Sequence, residues 1–381
     1  GLALARPINL ATGLIQNAIA RLQPLPSAPI EVEEPTGEYM VVLAAPTLNL
    51  RDSPSLESAA LGDLPLGTRV QVLGSPEWDG ERFWYKVRAP EGAQVGWASE
   101  VYLASWETAR TPLLFTSNRS GSLDIYSIYP DGTGLTQITN NPGDEGDASW
   151  SPDHDYIVFT YNENDDSDLY FMKADGSSWT QLTSGPADDA HPVWSPDGTR
   201  IAFVSNQDGD WEICVIDLNT RERQQLTFNK VWDSFPDWSP DGTWLVFTSR
   251  RTGNYDLFVV DAETGEELQL TNSPYSDAHP AWSPYGDEIV YTMVVAEGNN
   301  LLREIGVLNL YDLANPRRLT VSDGSKALHR YPDWSPDGRW VVFESERDGN
   351  EEVYIIPARG GIMANITNAP ESGDSAPAWS R

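Results

Sequence analysis

The stretch that decides the fold is Pro236-Asp237-Trp238-Ser239-Pro240-Asp241-Gly242, which leads into the apolar run Leu245-Val246-Phe247. A polar turn, Arg251-Thr252-Gly253, then precedes a second alternating stretch, Asp256-Leu257-Phe258-Val259-Val260, and Leu270-Thr271 ends the unit. Apolar and polar residues that alternate between Pro-Asp-Gly and Gly turns are typical of strands joined in hairpins. The unit therefore predicts four short strands, the content of one β-propeller blade.

This unit recurs along the chain. Its tryptophan is found at Trp150, Trp194, Trp238, Trp282, Trp334 and Trp379, with intervals of 44, 44, 44, 52 and 45 residues. The extra length lies between Tyr291 and Arg303 and is predicted to form a loop. One aromatic residue marks the second strand of each unit, which predicts six blades: Phe115, Phe159, Phe203, Phe247, Tyr291 and Phe343.

The two ends of the repeat region complement each other. The first unit, 113–139, has three strands and no preceding Trp-Ser segment, whereas the chain ends on an additional one, Pro377-Ala378-Trp379-Ser380. We expect these last residues to supply the innermost strand of the first blade. Such 3+1 closure leaves no free sheet edge, because the first and last repeats share one blade.

The repeats resemble the TolB-type propeller family, also described as WD40-like or PD40 repeats. Its motif, Trp-Ser-Pro-Asp-Gly followed by Ser-x-Arg-x-Gly-x-x-Asp-(Ile/Leu)-Tyr, is matched by Trp194–Gly198 and by Ser117–Tyr126. The fifth unit departs from it, with Tyr285 at the motif aspartate. The resemblance implies an all-β, six-bladed propeller over 113–381. Its members include periplasmic partners of envelope proteins, propeller lids of serine peptidases and sugar lyases, so it implies no single function.

A different pattern occupies 37–104. Leu48-Asn49-Leu50-Arg51, Leu64-Pro65-Leu66-Gly67-Thr68 and Gly96-Trp97-Ala98 are short segments split by Gly and Pro, which predicts a small β-barrel. They resemble the bacterial SH3 family. That resemblance implies either binding of cell-wall peptides or glycans or a role as a spacer, and both remain open. A linker, 105–112, joins this domain to the propeller.

The N-terminal segment, 1–23, is predicted to form a short amphipathic helix ahead of a Pro-rich, acidic linker, 24–36. Its apolar residues fall at helical spacing: Leu10, Leu14, Ile15, Ile19 and Leu22. We expect this stripe to dock in a partner's groove, with a frayed terminus as the alternative. The chain begins with Gly1 rather than Met, which raises the expectation of an upstream signal or anchor.

The composition limits the classes of partner that the protein can bind. The 381 residues include 25 Lys and Arg against 57 Asp and Glu, a formal charge of −32. This charge repels nucleic-acid phosphates and anionic lipid headgroups, so we expect no nucleic-acid partner. No apolar run reaches the roughly 18 residues that span a bilayer. The single cysteine, Cys214, excludes an internal disulfide framework.

The candidate site comes from the repeat register. Five residues before each motif tryptophan lie five acids and one histidine: Glu145, Asp189, Asp233, Asp277, His329 and Asp374. Two residues further on lie Asp147, His191, Phe235, His279, Tyr331 and Ala376. We expect the first set to ring the mouth of the propeller channel. Converging carboxylates there would raise one another's pKa or recruit a cation.

The metal that such a ring would select depends on its ligands. Oxygen ligands suit Ca²⁺ or Mg²⁺, whereas imidazoles from His191, His279 or His329 would suit Mn²⁺ or Zn²⁺. The alternative is that the acids only cap turns through backbone amides. A second acidic stretch, 162–168, is predicted to be a hairpin tip. Tryptophans outside the motif are candidate partner contacts: Trp78, Trp106, Trp179, Trp211 and Trp232.

Together these features predict a non-catalytic scaffold of the cell envelope, located in the periplasm or at the cell surface. The propeller face would bind a protein partner, and the SH3-like domain would attach the molecule to a cell-wall component or an envelope complex. A peptidase with its own catalytic domain is excluded, because no Gly-x-Ser-x-Gly elbow is present. The alternative function is a metal-dependent polysaccharide lyase that uses the channel-mouth histidines.

Overall fold

A computed structural model describes residues 39–44, 47–90, 94–164, 166–298, 300–321 and 328–379. The predicted helix over 1–23 and its docking stripe lie outside these residues. The described chain is all-β apart from two short 3-10 turns, Glu100–Tyr102 and Thr108–Arg110. None of its helices has the length and apolarity that a bilayer crossing requires.

The N-terminal strands are β1 (Tyr39–Val42), β2 (Thr47–Arg51), β3 (Ala60–Pro65), β4 (Arg69–Val72), β5 (Glu77–Trp78), β6 (Phe83–Arg88), β7 (Val95–Ser99) and β8 (Leu103–Ser105). They form one eight-stranded sheet with the order β3-β2-β7-β6-β4-β1-β8, and β5 pairs with β6. Alternate residues point inward, so Leu48, Leu50, Val70 and Val72 share one buried core. This is the predicted small barrel.

Six four-stranded antiparallel sheets follow, one for each sequence repeat. Blade 1 contains β9 (Leu113–Ser117), β10 (Asp124–Ile128), β11 (Thr136–Gln137) and β32 (Asp374–Trp379). Blade 2 contains β12 (Asp144–Trp150), β13 (Tyr156–Glu163), β14 (Asp166–Lys173) and β15 (Thr180–Gln181). Blade 3 contains β16 (Asp189–Trp194), β17 (Arg200–Ser205), β18 (Glu212–Asp217) and β19 (Arg223–Gln225).

Blades 4 to 6 repeat this order. Blade 4 contains β20 (Asp233–Trp238), β21 (Trp244–Ser249), β22 (Asp256–Asp261) and β23 (Glu267–Gln269). Blade 5 contains β24 (Asp277–Trp282), β25 (Glu288–Glu297), β26 (Asn300–Asn309) and β27 (Asp312–Arg318). Blade 6 contains β28 (His329–Trp334), β29 (Trp340–Ser345), β30 (Glu352–Pro357) and β31 (Ala364–Asn365). The all-β, six-bladed fold predicted from the repeat is confirmed.

The motif that opens each repeat works as a hydrogen-bonded turn. In blade 4, the Ser239 hydroxyl donates to Asp241 Oδ1 at 2.6 Å and accepts the Trp244 N–H at 2.9 Å. Gly242 follows with φ of 69°, a backbone conformation that favours glycine. The motif therefore turns the chain from the innermost strand into the second, because serine and aspartate satisfy the turn's backbone amides.

Consecutive blades 4 and 5 are joined by a second motif residue. Asp237 Oδ2 accepts the backbone N–H of Trp282, at 2.7 Å. The Trp282 ring is itself buried. A buried, charge-assisted hydrogen bond of this kind aligns one innermost strand with the next.

The described chain groups into two compact units. Residues Asp147–Pro332 make one, with the strands of blades 3 to 5 and most of blade 2. The described residues before 147 together with those after 332 make the other, which contains the barrel, blade 1 and most of blade 6. In this second unit β32 pairs with β9, with Asp374 opposite Ser117 and Trp379 opposite Leu113. The predicted 3+1 closure is confirmed.

In the second unit the barrel packs directly on blades 1 and 6. Val41 and Leu43 of the barrel share a buried cluster with Leu113, Trp340 and Trp379. Polar contacts surround this cluster. Arg339 Nη2 donates to the Glu100 carbonyl at 3.1 Å, and the Thr108 hydroxyl donates to Asp337 Oδ2 at 2.8 Å. The barrel is thus fixed to the propeller strands rather than tethered by a free linker.

The predicted loop in the fifth repeat is wrong. The extra residues continue the β25–β26 ladder from Glu288 opposite Asn309 to Glu297 opposite Asn300. Pairing continues because the run 293–295 keeps β-branched and apolar residues that favour a strand. The result is a hairpin with ten residues in each strand, where the corresponding strands of blades 3 and 4 have six.

Candidate functional site

A bulge in the innermost strand directs one side chain per blade out of the sheet. In blade 3 the β16–β17 register shifts between Ala190 and Val193, and the same shift occurs in blades 4 and 5. The bulged residues His191, Phe235 and His279 have φ of 51°, 55° and 50°. Non-glycine residues pay a conformational cost in this left-handed region, so surrounding contacts must hold them there.

Those contacts come from the preceding blade. The His191 N–H donates to Thr160 Oγ1 at 3.2 Å, and the His279 N–H donates to Thr248 Oγ1 at 3.0 Å. Thr160 and Thr248 each follow the aromatic residue of their own second strand. The repeat thus supplies both the bulge and the hydroxyl that satisfies its amide.

The bulged residues line a cavity of about 690 Å³ in the 147–332 unit. This volume lies in the range of small-ligand sites. Besides the bulged side chains, its lining includes hydroxyl, aromatic, aliphatic and basic residues. These are Thr160, Ser167, Ser234, Thr248, Ser276, Thr292, Trp211, Trp232, Tyr255, Ala190, Val204, Ala278, Val294, Arg303 and Arg330.

Four rings pack against one another in the cavity. The centroid of Phe235 lies 4.2 Å from that of His191 and 4.4 Å from that of His279. The Tyr331 ring contacts both His279 and Phe235, with centroid distances of 4.2 and 5.6 Å. At the edge of this cluster, His191 Nδ1 lies 3.1 Å from Asp147 Oδ2. These contacts pre-order the cluster, so a ligand would meet a rigid aromatic surface.

The two histidines of the cluster differ in their surroundings. Burial lowers the pKa of His279 to about 3, and positive charge at His191, Arg330 and Arg303 acts in the same direction. His279 is therefore a neutral imidazole, with Nδ1 3.1 Å from Thr292 Oγ1. Burial by itself would raise the pKa of Asp147, but the charge and hydrogen bond of His191 lower it overall. Asp147 is thus an anion already matched by His191.

Aromatic and basic side chains form other parts of the cavity wall. Trp211 and Tyr255 occupy the same repeat position, directly before the acid that starts the third strand. Trp232 lies in the loop before β20, and 57% of its surface is exposed. Arg303 comes from the long hairpin β26, and Arg330 from the innermost strand of blade 6.

The acids expected at the channel mouth do not line this cavity. In the 147–332 unit, Asp189 and Asp233 are buried and each is paired with arginine. Arg223 binds Asp189 through two contacts of 3.1 and 3.2 Å, and Arg251 Nη2 lies 2.7 Å from Asp233 Oδ2. The physical reason is the bulge in the innermost strand. It lies two residues after these acids, and the bulged residue is the one whose side chain is directed out of the blade.

Asp277 and His329 are also buried in this unit. Burial raises the pKa of Asp277 to about 7, with a smaller contribution from the charge of Asp256. His329 Nε2 lies 3.9 Å from Glu304 Oε2. Neither faces the cavity, although the sequence assigned both to the channel mouth.

The last two predicted acids belong to the other unit. Asp374 is buried, and Arg119 Nη2 contacts its Oδ2 at 2.5 Å. Glu145 is also buried, which raises its pKa to about 7. Both carboxyl groups are therefore buried among the propeller strands.

Several of the predicted cation ligands already have other partners. Asp189, Asp233 and Asp374 already neutralise arginines, and His279 Nδ1 is hydrogen-bonded to a threonine. Three acids outside the predicted set, Glu344, Glu346 and Glu351, bring carboxylate oxygens within 4.8 Å of one another. Cation binding in the channel stays a prediction, which calorimetry with Ca²⁺ and Mn²⁺ can test.

Two of the five candidate tryptophans, Trp211 and Trp232, line the cavity. Trp179 packs on Phe159, with centroids 4.7 Å apart, and Trp106 lies between Arg69 and Arg110. Trp78 is exposed on the barrel. A tryptophan outside the motif therefore did not by itself indicate whether the residue lines the cavity or packs against other side chains.

Sequence reasoning missed the two arginines of the cavity and its threonines. Thr160, Thr248 and Thr292 share one repeat position, so alignment of the repeats could have found them. Arg303 and Arg330 share no such position. Arg303 lies in the extra length of the fifth repeat, where the repeat pattern has no equivalent residue.

Comparison with known families agrees with this architecture. Residues 135–303 match the family described as TolB beta propeller domain. Residues 46–104 match the family described as bacterial SH3 domain. The two matched segments fall on the blades and the barrel.

Individual relatives are matched over short segments or at low identity. The Tol-Pal system protein TolB of Syntrophus aciditrophicus (strain SB) is 36% identical over 52 residues, which cover 14% of this chain and 12% of that protein. The crystal structure of TolB from Acinetobacter baumannii superimposes with a TM-score of 0.61 at 18% identity, covering 80% of this chain and 81% of that one. A putative TolB from Agrobacterium tumefaciens gives 0.55 at 21% identity, over 68% and 88%. These structural likenesses show the fold.

Proposed function

Because a propeller of the TolB type follows a bacterial SH3 domain in the sequence, we propose that the protein is a non-catalytic binding protein of the cell envelope. The observation that carries this proposal is the rigid, aromatic cavity of the 147–332 unit. Its strained bulges are held by threonines of the neighbouring blade, so the surface is pre-ordered before a ligand arrives. Pre-ordered aromatic and arginine side chains are typical of the central part of protein interfaces.

The geometry favours binding over acid–base chemistry. His279 is neutral and hydrogen-bonded to Thr292, and the Asp147 carboxylate is already paired with His191. A general acid or base needs a titratable group free to exchange a proton with the substrate. A lyase that uses the channel-mouth histidines and a cation is the alternative, and the arginine-paired acids argue against it.

The barrel is proposed to attach the molecule to a cell-wall peptide, a cell-wall glycan or an envelope complex. One of its faces packs on blades 1 and 6, as the shared cluster of Val41, Leu43 and Trp340 shows. Elsewhere on the barrel, Trp78 is 55% exposed and its ring centroid lies 4.8 Å from that of Phe83. A supported, exposed aromatic pair offers a stacking surface for such a ligand. An extracytoplasmic location follows from this role.

Site-specific photo-crosslinking tests the proposal. A benzophenone amino acid replaces Trp232 at the cavity or, as the control, Lys173 at the exposed end of β14. Both variants are irradiated in cells of the source organism. A protein adduct from position 232 that is absent from position 173 supports the proposal. No protein adduct at 232, or unsaturated products released by the purified chain from acidic polysaccharides, would overturn it.

A further inference from the structure

One face of the barrel sheet has a charge opposite to that of the whole chain. The protein contains 25 Lys and Arg against 57 Asp and Glu. By contrast, β7, β6, β4 and β1, which are neighbours in the sheet, contain three bases and no acid. The bases are Arg69, Lys86 and Arg88, and all three are exposed. A local positive surface on an acidic protein attracts and orients a negatively charged group.

The strand register places the three bases in one line on the outer side of the sheet. The valines of β4 and β6 lie in the barrel core, so the alternate residues of these strands point outward. On β6, Lys86 lies two residues before Arg88. Gln71 of β4 is the cross-strand partner of Arg88, and Arg69 lies two residues before Gln71. With a rise of about 3.4 Å per residue, the bases form a basic row with intervals of about 7 Å along the strands.

Aromatic rings hold Arg69 at one end of the basic row. Its guanidinium carbon lies 3.8 Å from the ring centroid of Tyr39 and 4.5 Å from that of Trp106. The Trp106 ring is also contacted by Arg110, at 4.6 Å. A guanidinium that lies over aromatic faces keeps its N–H edge available for two parallel hydrogen bonds to a carboxylate. Because the side chain is already ordered, less conformational entropy is lost when a ligand binds.

The other two bases are oriented by neighbours that carry no charge. Arg88 Nη1 donates to Gln71 Oε1 at 2.9 Å, and Lys86 Nζ lies 5.8 Å from the ring centroid of Trp97. None of the three bases of the row forms an ion pair with a described residue. A guanidinium has five N–H donors, so Arg88 keeps further donors beside its bond to the amide. A carboxylate from outside the chain would therefore meet donors that are already positioned.

From this arrangement we propose that the basic row binds an extended acidic segment of a partner protein, with Asp or Glu at alternate positions. Alternate side chains of an extended peptide point to the same side and repeat at about 7 Å, which is the interval of the row. Three successive acids of such a segment can each meet one base. The match in spacing favours a peptide over an acidic glycan, whose sugar rings set the interval between carboxylates. The inference rests on the proposed function, in which the barrel attaches the molecule to an envelope complex, and it names the chemistry of the attached segment.

Fluorescence polarisation with the full chain tests this ligand class. The probe is the labelled peptide (Glu-Ser)4 at about 0.15 M salt, where a Debye length of about 8 Å screens the distant acidic surface. The analogue (Gln-Ser)4 removes the charge, and (Glu-Ser-Ser)4 keeps the four carboxylates but changes their spacing. We expect (Glu-Ser)4 to bind, the amide analogue to bind at least about tenfold more weakly, and the spacing analogue at least about threefold more weakly.

Matched variants locate the binding. Arg69→Gln/Arg88→Gln should weaken the binding of (Glu-Ser)4 by about tenfold or more, since two charge-assisted contacts are lost. The control Lys173→Gln/Arg250→Gln removes the same charge at exposed positions outside the barrel and should bind within about twofold of wild type. Thermal melts check that both variants are folded. Absence of binding to (Glu-Ser)4, equal affinity for the acid and amide peptides, or unchanged affinity in Arg69→Gln/Arg88→Gln would overturn the inference.

The outcome is separable from that of the proposed function. Peptide binding at the basic row with no protein adduct at position 232 would keep the acidic ligand and refute the role of the cavity. A protein adduct at 232 without peptide binding would do the reverse. If trigalacturonate displaces the peptide and binds more tightly than it does, the face recognises an acidic glycan and the peptide proposal fails. A wild-type dimer that Arg69→Gln/Arg88→Gln no longer forms would identify a second copy as the occupant, which also refutes the proposal.

Discussion

Replacement of Asp277 by asparagine should change how the stability of the protein depends on pH. Asp277 is 3% exposed at the start of β24, and burial raises its pKa from 3.8 to about 7. Because the folded pKa is above the unfolded one, its contribution to stability is fully present below pH 3.8 and is lost as the pH rises through 7.

The magnitude follows from the shift. A change of about 3 pKa units at 1.36 kcal/mol per unit makes wild-type folding about 4 kcal/mol less favourable at pH 8 than at low pH. Asparagine keeps the shape of the side chain and does not titrate. The free energy of unfolding of Asp277→Asn, measured relative to wild type, should therefore rise by about 4 kcal/mol between pH 4 and pH 8.

Urea unfolding at each pH, followed by tryptophan fluorescence, measures this difference. Asp63→Asn, which removes an exposed carboxylate from the barrel strand β3, is the control for the loss of one charge. A relative stability of Asp277→Asn that changes by less than about 1 kcal/mol over this range, or that falls with pH, would refute the assignment of a neutral buried acid at this position.

Three further changes test the fold. Arg251→Met leaves the buried Asp233 without its guanidinium partner and should lower the free energy of unfolding, measured with denaturant, by about 3–5 kcal/mol. The double variant Arg251→Met/Asp233→Asn should recover part of this stability, and no recovery would contradict the pairing. Trp379→Ala should lower the melting temperature sharply, because Trp379 is buried in the strand that closes blade 1 and loss of such a side chain costs about 3–5 kcal/mol of stability; removal of the last six residues should act in the same direction. The control is Trp78→Ala, which removes an exposed tryptophan, and an equal effect of the two substitutions would count against 3+1 closure. Gly96→Ala should destabilise the barrel by about 1–3 kcal/mol, since the new Cβ would lie 2.6 Å from the Arg51 carbonyl, and unchanged thermal stability would argue against that contact.

Much of the fold could be predicted because each repeat contains the residues that form its own turns and strands. Trp238-Ser239-Pro240-Asp241-Gly242 forms its turn through hydrogen bonds within the segment 239–244, so each copy specifies a strand junction without help from distant residues. The count of six blades and the closure by Trp379 followed from the spacing of these copies alone. The long hairpin of blade 5 was mistaken for a loop because it departs from the motif, although its residues retain strand-forming character.

The candidate site depended on what the strands do in three dimensions. Sequence spacing identified both the acids five residues before each tryptophan and the residues two positions later, but it could not say which set leaves the blade. The bulge decided this: it turns His191, Phe235 and His279 into the cavity and leaves Asp189 and Asp233 buried against arginines.

The sequence by itself thus determined the repeat, the number of blades, the closing strand and the barrel, because each depends on hydrogen bonds and apolar alternation over a few residues. Only the tertiary structure brought Arg303 and Arg330 to one cavity with Trp232, since they come from different blades and share no repeat position. A binding surface built from non-equivalent positions of a repeat has no local signature, because its residues meet only after the blades have packed.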